Sequence, residues 1–205
     1  MPAVATIYAA CAPDERYFQG EILSGVVDRR AHSLGAPAPG EEEAFEIVGE
    51  IYPFVVIVTQ DCDLEQHDRA SKATDWEPAR RANASLTHFL VVVAEPWEEV
   101  KTRLGSTKQR ERIPQNKDDR YQFLAGVPVE RDAASAGVPD LLLDFKRVFS
   151  VPSASLTQRI AFGETKRRAH LLTPYVEHLG VRYGHYSQRV GLEVDHHDAK
   201  RSGSE

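Results

Sequence analysis

Cysteine is scarce in this chain, and long apolar runs are missing. The 205 residues include two cysteines, Cys11 and Cys62, which lie far apart in different local contexts. Such a pair gives no disulfide framework, which is typical of proteins in a reducing compartment. No apolar window reaches the length of a membrane span, and residues 1–16 lack the basic start of a secretory signal. We therefore expect a bacterial, cytoplasmic protein with no membrane partner.

Positive charge is also in deficit. The chain has 25 lysines and arginines against 31 aspartates and glutamates, which gives a formal net charge of −6. This excess of acid argues against a broad nucleic-acid surface, because phosphate contacts depend on clustered cations, although a local basic groove is compatible with it. The apolar content of 41% is sufficient for one core, and no composition break divides the chain, so we expect one domain.

Apolar runs bounded by polar residues predict several short strands. They lie at residues 20–27, 45–50, 54–59, 87–94, 121–124 and 141–151. The run at 54–59 is apolar on both faces, as expected of a central strand. Gly- and Pro-rich residues 33–44 predict an exposed loop, and residues 65–85 predict a charged, partly helical excursion.

Two helices complete the predicted order of elements. Pro96 is suited to the first turn of a helix over 96–104, and an apolar stripe predicts a C-terminal helix over 164–190. Residues 193–205 have no core-forming side chains and predict a disordered tail. Since strands dominate and βαβ alternation is absent, the order indicates a mainly β antiparallel barrel with added helices, one domain over 1–192.

The octapeptide Val-Thr-Gln-Asp-Cys-Asp-Leu-Glu at 58–65 is the most informative motif, because an apolar strand ends there in acid, thiol and amide groups. On a continuing strand, Asp61 and Asp63 would share one face, and Gln60 and Cys62 the other. The carboxylates are suited to cation binding or acid/base chemistry, and a thiol of lowered pKa to nucleophilic attack. The alternative is a turn whose side chains satisfy backbone amides, with Cys62 buried.

A chemical role for Cys62 requires partners. His67 and His88 are the candidates for a thiol–imidazole pair. Cys62 and His67 supply only two zinc ligands, and no second closely spaced pair follows them. We therefore expect neither a metal nor a cofactor.

A polar and basic segment at 106–120 has no apolar face and predicts a mobile loop. Tyr121 follows it and is suited to stacking on a base. The predicted nucleic-acid contacts are Lys108, Arg110, Arg112, Lys117, Tyr121 and Arg147. The alternative is that these charges are merely solvated or paired with carboxylates.

Three segments resemble the MazF/PemK family of toxin endoribonucleases. Gly20-Glu21-Ile22-Leu23 resembles the family's Gly-Asp-Ile-Val start, residues 53–59 resemble its Pro-Val-Val-Val-Leu-Ser strand, and residues 141–156 resemble its closing strand, turn and short helix. The resemblance implies an SH3-like barrel, a homodimer and action on RNA. This chain has Tyr52 where RNA-cleaving members carry an arginine, so that residue is not carried over. The Thr-Gln-Asp-Cys-Asp-Leu motif also resembles a motif of uncharacterised bacterial proteins.

Three functional hypotheses follow. The first is a nucleic-acid-directed protein of the toxin–antitoxin or defence type, an endoribonuclease that acts on single-stranded RNA. Its catalytic set would be Asp61, Cys62, Asp63 and Arg120, in which an aspartate is the base and the arginine stabilises phosphate charge. The second is a non-catalytic barrel that binds a protein partner, which the acidic charge and the missing arginine favour. The third is a thiol- or metal-dependent enzyme centred on Cys62.

Overall fold

The computed structural model describes residues 7–33 and 45–188. Its strands are β1 (Tyr8–Ala10), β2 (Glu21–Ser33), β3 (Phe45–Ile57), β4 (His88–Pro96), β5 (Tyr121–Leu124), β6 (Leu141–Pro152) and β7 (Lys166–Leu171). Its helices are α1 (Asp61–Lys72), α2 (Pro78–Ala84), α3 (Trp97–Val100), α4 (Thr107–Arg112), α5 (Ser153–Ala161) and α6 (Tyr175–Ser187). Among the described residues, none of these helices has the length and apolar character needed to cross a membrane.

The seven strands form one antiparallel sheet in the order β1-β7-β2-β3-β4-β6-β5. The prediction of a mainly β fold with added helices is confirmed. The sheet does not close into a barrel in the described part of the chain, because β1 and β5 remain its two edge strands. The two edges come close together, since the Tyr8 hydroxyl of β1 donates at 2.6 Å to the carbonyl of Ala125, the residue that follows β5.

The centre of the sheet is apolar on both faces. Val92 and Ala94 of β4 pack into one core cluster, whereas Val91 and Val93 pack into a second cluster on the other face. This alternation follows from the two-residue period of a strand, and each face is covered by other segments. Burial on both sides explains the uninterrupted apolar runs of Val55–Ile57 in β3 and Val91–Ala94 in β4.

The predicted helix over 164–190 is wrong in its first part. Residues Lys166–Leu171 form β7, which pairs with β1 and β2, and only Tyr175–Ser187 are helical. Two adjacent arginines of this strand, Arg167 and Arg168, are buried in ion pairs. The predicted helix over 96–104 is shorter than expected, since α3 ends at Val100.

The charged segments are also more ordered than the sequence predicts. α1 begins at Asp61, and the segment predicted as a mobile loop contains α4 and a 3₁₀ turn over Ile113–Gln115. Residues 34–44 of the predicted loop and the predicted tail at 193–205 lie outside the described residues.

Candidate functional site

The motif at 60–63 begins a helix and does not continue a strand. Gln60 has an extended backbone (φ −60°, ψ 139°) and precedes α1, whose first turn contains Asp61 and Asp63. Carboxylates are favourable there because the N-terminal end of a helix carries partial positive charge. Since successive helical residues are rotated by about 100°, Asp61 and Asp63 do not share a face as they would on a strand.

Asp61 is held by the loop between β1 and β2. The Arg16 guanidinium donates to both carboxylate oxygens, at 3.0 Å and 2.7 Å, and the Gln19 N–H donates at 3.2 Å. Burial by itself would raise the pKa of Asp61, but the hydrogen bonds from Arg16 and Gln19 outweigh it and keep the pKa below its usual value. Asp61 is therefore ionised at neutral pH, with both oxygens already engaged.

Cys62 is exposed on α1, and its nearest polar neighbours are local. Its Sγ lies 3.8 Å from Gln60 Oε1 and 3.8 Å from Asp63 Oδ1. The imidazole of His67 is engaged elsewhere, since its Nδ1 accepts from the Leu86 N–H at 3.0 Å. His88 likewise contacts Thr87, with 3.2 Å between Nδ1 and Oγ1. The structure does not assemble Cys62 with either histidine.

A different cysteine lies beside a histidine. Cys11 is buried, and its Sγ lies 3.9 Å from Nδ1 of His170, whose ring stacks on Phe18 at 4.2 Å between centroids. Burial, reinforced by the nearby Glu21 carboxylate, raises the pKa of the Cys11 thiol, while burial lowers the pKa of His170. Both groups are therefore neutral at neutral pH, so this pair is not an activated thiolate.

Arg167 organises the loop around this pair. Its guanidinium donates to both oxygens of Glu21, at 2.6 Å and 2.9 Å, and Glu21 is fully buried. Its remaining hydrogen bonds go to the carbonyls of Ala12, Glu15 and Arg16, at 3.1 Å, 2.6 Å and 2.7 Å. All the donors of Arg167 are thus satisfied, and the loop that presents Arg16 to Asp61 is fixed by them.

A cavity of about 330 Å³ lies next to this loop. Its polar lining comes from Arg16, Gln19, Asp61, His170, Thr173 and Glu177. A neutral imidazole and an ionised carboxylate are suited to acid/base chemistry. The cavity offers two carboxylates against one guanidinium, however, so its charge does not favour a phosphate. No local sequence motif predicts this cavity, because its lining residues come from segments far apart in the sequence.

Arg120 and Tyr121, predicted to act on RNA, are engaged in contacts with other residues of the protein. Arg120 donates to both oxygens of Asp144, at 2.7 Å and 2.5 Å, and its guanidinium lies 4.8 Å from the centroid of the Tyr121 ring. Tyr121 is buried, with 8% of its surface exposed, and a buried ring is not open to stacking on a base. Arg147 pairs with Glu95 at 2.6 Å.

The remaining predicted contacts form one exposed group. The segment 106–117, called here the basic segment, contains α4 and the turn that follows it, and it carries four exposed cations: Lys108, Arg110, Arg112 and Lys117. Ser106 caps α4 by accepting from the Gln109 N–H at 3.1 Å. Arg112 is partly engaged, since it donates to the Lys117 carbonyl at 2.7 Å.

The basic segment is anchored from both sides. Asn116 has a left-handed backbone (φ 54°), and its side chain binds the backbone N–H and carbonyl of Phe123 at 2.7 Å and 3.2 Å. Arg182 of α6 donates to the carbonyls of Asn116 and Tyr121, at 2.6 Å and 2.8 Å. Arg182 and Asn116 together order this loop, and the partners of Arg182 are more than sixty positions away from it in the sequence.

The structure therefore separates the predicted catalytic residues into two groups. Asp61, Cys62 and Asp63 follow β3, whereas Arg120 precedes β5, and β4 and β6 lie between those strands. Two strands therefore separate β3 from β5 in the sheet. No described set of His, Cys, Asp and Glu side chains has the arrangement of a metal site. In comparisons with known proteins, no family model, curated protein or solved structure matches this chain.

Proposed function

We propose that this protein binds single-stranded RNA through the basic segment. The observation that carries the proposal is a local reversal of charge. Residues 106–117 hold four cations and one carboxylate, a formal charge of +3, in a chain whose net charge is −6, although the adjacent Asp118 and Asp119 offset two of these charges. Exposed cations that are close in space and not neutralised by carboxylates are the usual source of phosphate affinity.

The fixed backbone of the basic segment also supports the proposal. Asn116 and Arg182 hold its backbone, so little conformational entropy is lost when a ligand orders the segment further. The side chains of Lys108 and Arg110 form no hydrogen bond or ion pair with the other described residues, and both residues are exposed. Their charges remain available to phosphates, unlike those of Arg120 and Arg147, which carboxylates neutralise.

The MazF/PemK resemblance supports RNA as the nucleic acid. Under this proposal the open seven-stranded sheet is a variant of that family's SH3-like barrel, and the protein acts in the bacterial cytoplasm in a toxin or defence role. The proposed activity is binding. Cleavage would require acid/base groups beside the bound phosphate, and Asp61 and Asp63 follow β3, which two strands separate from β5.

The test is fluorescence anisotropy with an end-labelled, mixed-sequence single-stranded RNA over a range of salt concentrations. The variant is the triple substitution Lys108→Gln, Arg110→Gln and Lys117→Gln. Loss of three phosphate contacts should weaken binding at low salt by at least tenfold and should reduce the slope of log K against log salt by about 2.

The matched control is the triple substitution Arg29→Gln, Arg80→Gln and Lys166→Gln, which removes the same charge from exposed positions outside the basic segment. Equal weakening in this control would show a non-specific effect of net charge and would refute the proposed site. The same RNA, run on a denaturing gel with and without magnesium, shows whether the bound RNA is cut, with Asp63→Asn and Arg120→Gln as the variants. Failure of the native protein to bind would favour the protein-binding alternative.

A further inference from the structure

The distal half of the β2–β3 hairpin is a two-stranded ribbon. β2 pairs with β3 along its whole length, but β7 pairs with β2 only as far as Ser24, and β4 pairs with β3 only from Phe54. In the described part of the chain, residues 26–33 and 45–52 therefore have no third strand beside them. An isolated two-stranded ribbon is marginally stable in water, and its unpaired edges are ready to accept another strand.

One face of this ribbon is apolar and exposed. Ile47 and Ile51 are 72% and 69% exposed, and Gly49 lies between them on the same face. Their partners on β2 are Ala31, Arg29 and Val27. Two largely exposed isoleucines on one face of a strand are unusual, and apolar surface of this kind marks an interaction site.

We propose that a second copy of this chain covers the ribbon, with β3 pairing antiparallel to β3 of the partner about a two-fold axis through Gly49. A two-fold axis normal to a sheet keeps each side chain on its own face, so only registers centred on a residue are allowed. The register centred on Gly49 places Ile47 opposite Ile51 of the other copy twice, once on each side of the axis. Val48 then lies opposite Glu50.

The neighbouring registers are less favourable. Centring on Val48 would place Glu46 opposite Glu50 and Ile47 opposite Gly49, and centring on Glu50 would place that glutamate opposite itself. Like charges directly opposite one another are destabilising, and both shifts lose the isoleucine pairs. The sequence of β3 is thus self-complementary in one register, which is what an isologous interface requires.

Two further features fit this register. Pro53 is exposed and has no N–H to donate, so the pairing ends at Tyr52 and does not extend toward β4. Arg29 lies across from Gly49 on β2, and three strand spacings separate it from its symmetry mate by roughly 14 Å. That separation exceeds a Debye length of about 8 Å at physiological salt, so the two arginines repel each other weakly.

Sedimentation equilibrium over a wide range of protein concentration tests the interface. We expect a monomer–dimer equilibrium, and we expect the double variant Ile47→Thr, Ile51→Thr to raise the dissociation constant by at least a hundredfold. Threonine keeps the β-branched shape suited to a strand, and the circular dichroism spectrum checks that the fold is retained. The control is the double variant Phe162→Thr, Val181→Thr, whose side chains are each 70% exposed elsewhere, and it should dimerise like the native chain.

A cysteine cross-link tests the register. In a Cys62→Ser background, Gly49→Cys should form a disulfide-linked dimer on mild oxidation, because paired residues on the axis have close Cβ atoms. A Cβ at Gly49 meets only Val27 Cγ1, at 3.5 Å, so the substitution fits. Glu46→Cys, six residues from its symmetry mate along the strand, should not cross-link. A protein that is monomeric at every concentration, a dimer unaffected by the isoleucine substitutions, or cross-linking at residue 46 and not at 49 would overturn the proposal.

Discussion

The buried pair of Arg167 and Glu21 makes a sharp prediction about stability. Glu21 is completely buried, and Arg167 satisfies both of its oxygens while also binding three backbone carbonyls. Arg167→Met keeps most of the side-chain volume but leaves a buried carboxylate without a partner. Removing one member of a buried pair costs about 3 to 5 kcal/mol in the free energy of unfolding.

Urea denaturation followed by circular dichroism measures this loss. With an m-value of about 2.5 kcal/mol/M for a chain of this size, the midpoint should fall by about 1.2 to 2 M. The double variant Glu21→Gln, Arg167→Met removes the stranded charge and should lose less stability than Arg167→Met alone. Because Arg167 also holds the loop that carries Arg16, we expect that loop to become more susceptible to proteolysis in the single variant.

A surface pair supplies the control for this experiment. Arg69 pairs with Glu65, their side chains are 65% and 46% exposed, and such pairs contribute about 1 kcal/mol or less. Arg69→Met should therefore shift the midpoint much less than Arg167→Met. If the two variants shifted it equally, or if the double variant lost more stability than the single one, the argument from burial would be refuted.

Two other predictions concern single side chains. Burial of Asp132 is outweighed by hydrogen bonds from Arg168 and the Ala134 N–H, which lower its pKa to about 2. The stabilisation from this carboxylate, up to about 2.5 kcal/mol, is therefore complete above about pH 4 and is lost as the pH falls through about 2. In urea denaturation across that pH range, the free energy of unfolding of Asp132→Asn should fall less steeply with decreasing pH than that of the native protein. An equal slope in the two proteins would contradict the assignment. For the thiols, Cys62 should react rapidly with a chromogenic disulfide reagent in the native protein and Cys11 only after unfolding, because Cys62 is exposed and Cys11 is buried. Rapid native reaction of both would contradict the burial of Cys11.

The strands that could be predicted are those that contain a run of apolar residues. Residues 54–59, 87–94 and 141–151 were assigned from their runs of Val, Ile, Leu and Phe, and they overlap β3, β4 and β6. A strand segment that is buried on both faces has apolar side chains at consecutive positions, so its local composition alone predicts it. The short β5 was found in the same way, at 121–124.

The candidate site depends on contacts between residues that are far apart in the sequence. The motif at 60–63 does lie where an apolar strand ends and polar residues follow. The helix that begins there changes which side chains share a face. Arg16, the partner of Asp61, lies 45 residues earlier, and no local pattern connects them. The cations of the basic segment were visible in the sequence, whereas their anchoring by Arg182 was not.

The sequence by itself determined the mainly β class, the central apolar strands, the acidic net charge and the local cluster of cations, because each depends on neighbouring residues. Only the tertiary structure decided that Lys166–Leu171 is a strand, since Arg167 and Arg168 are buried by Glu21 and Asp132, which lie 146 and 36 residues away. It also decided that β2 and β3 extend past their neighbours and leave Ile47 and Ile51 exposed. The physical reason is the same in both cases: the burial of a side chain depends on what the rest of the chain places against it.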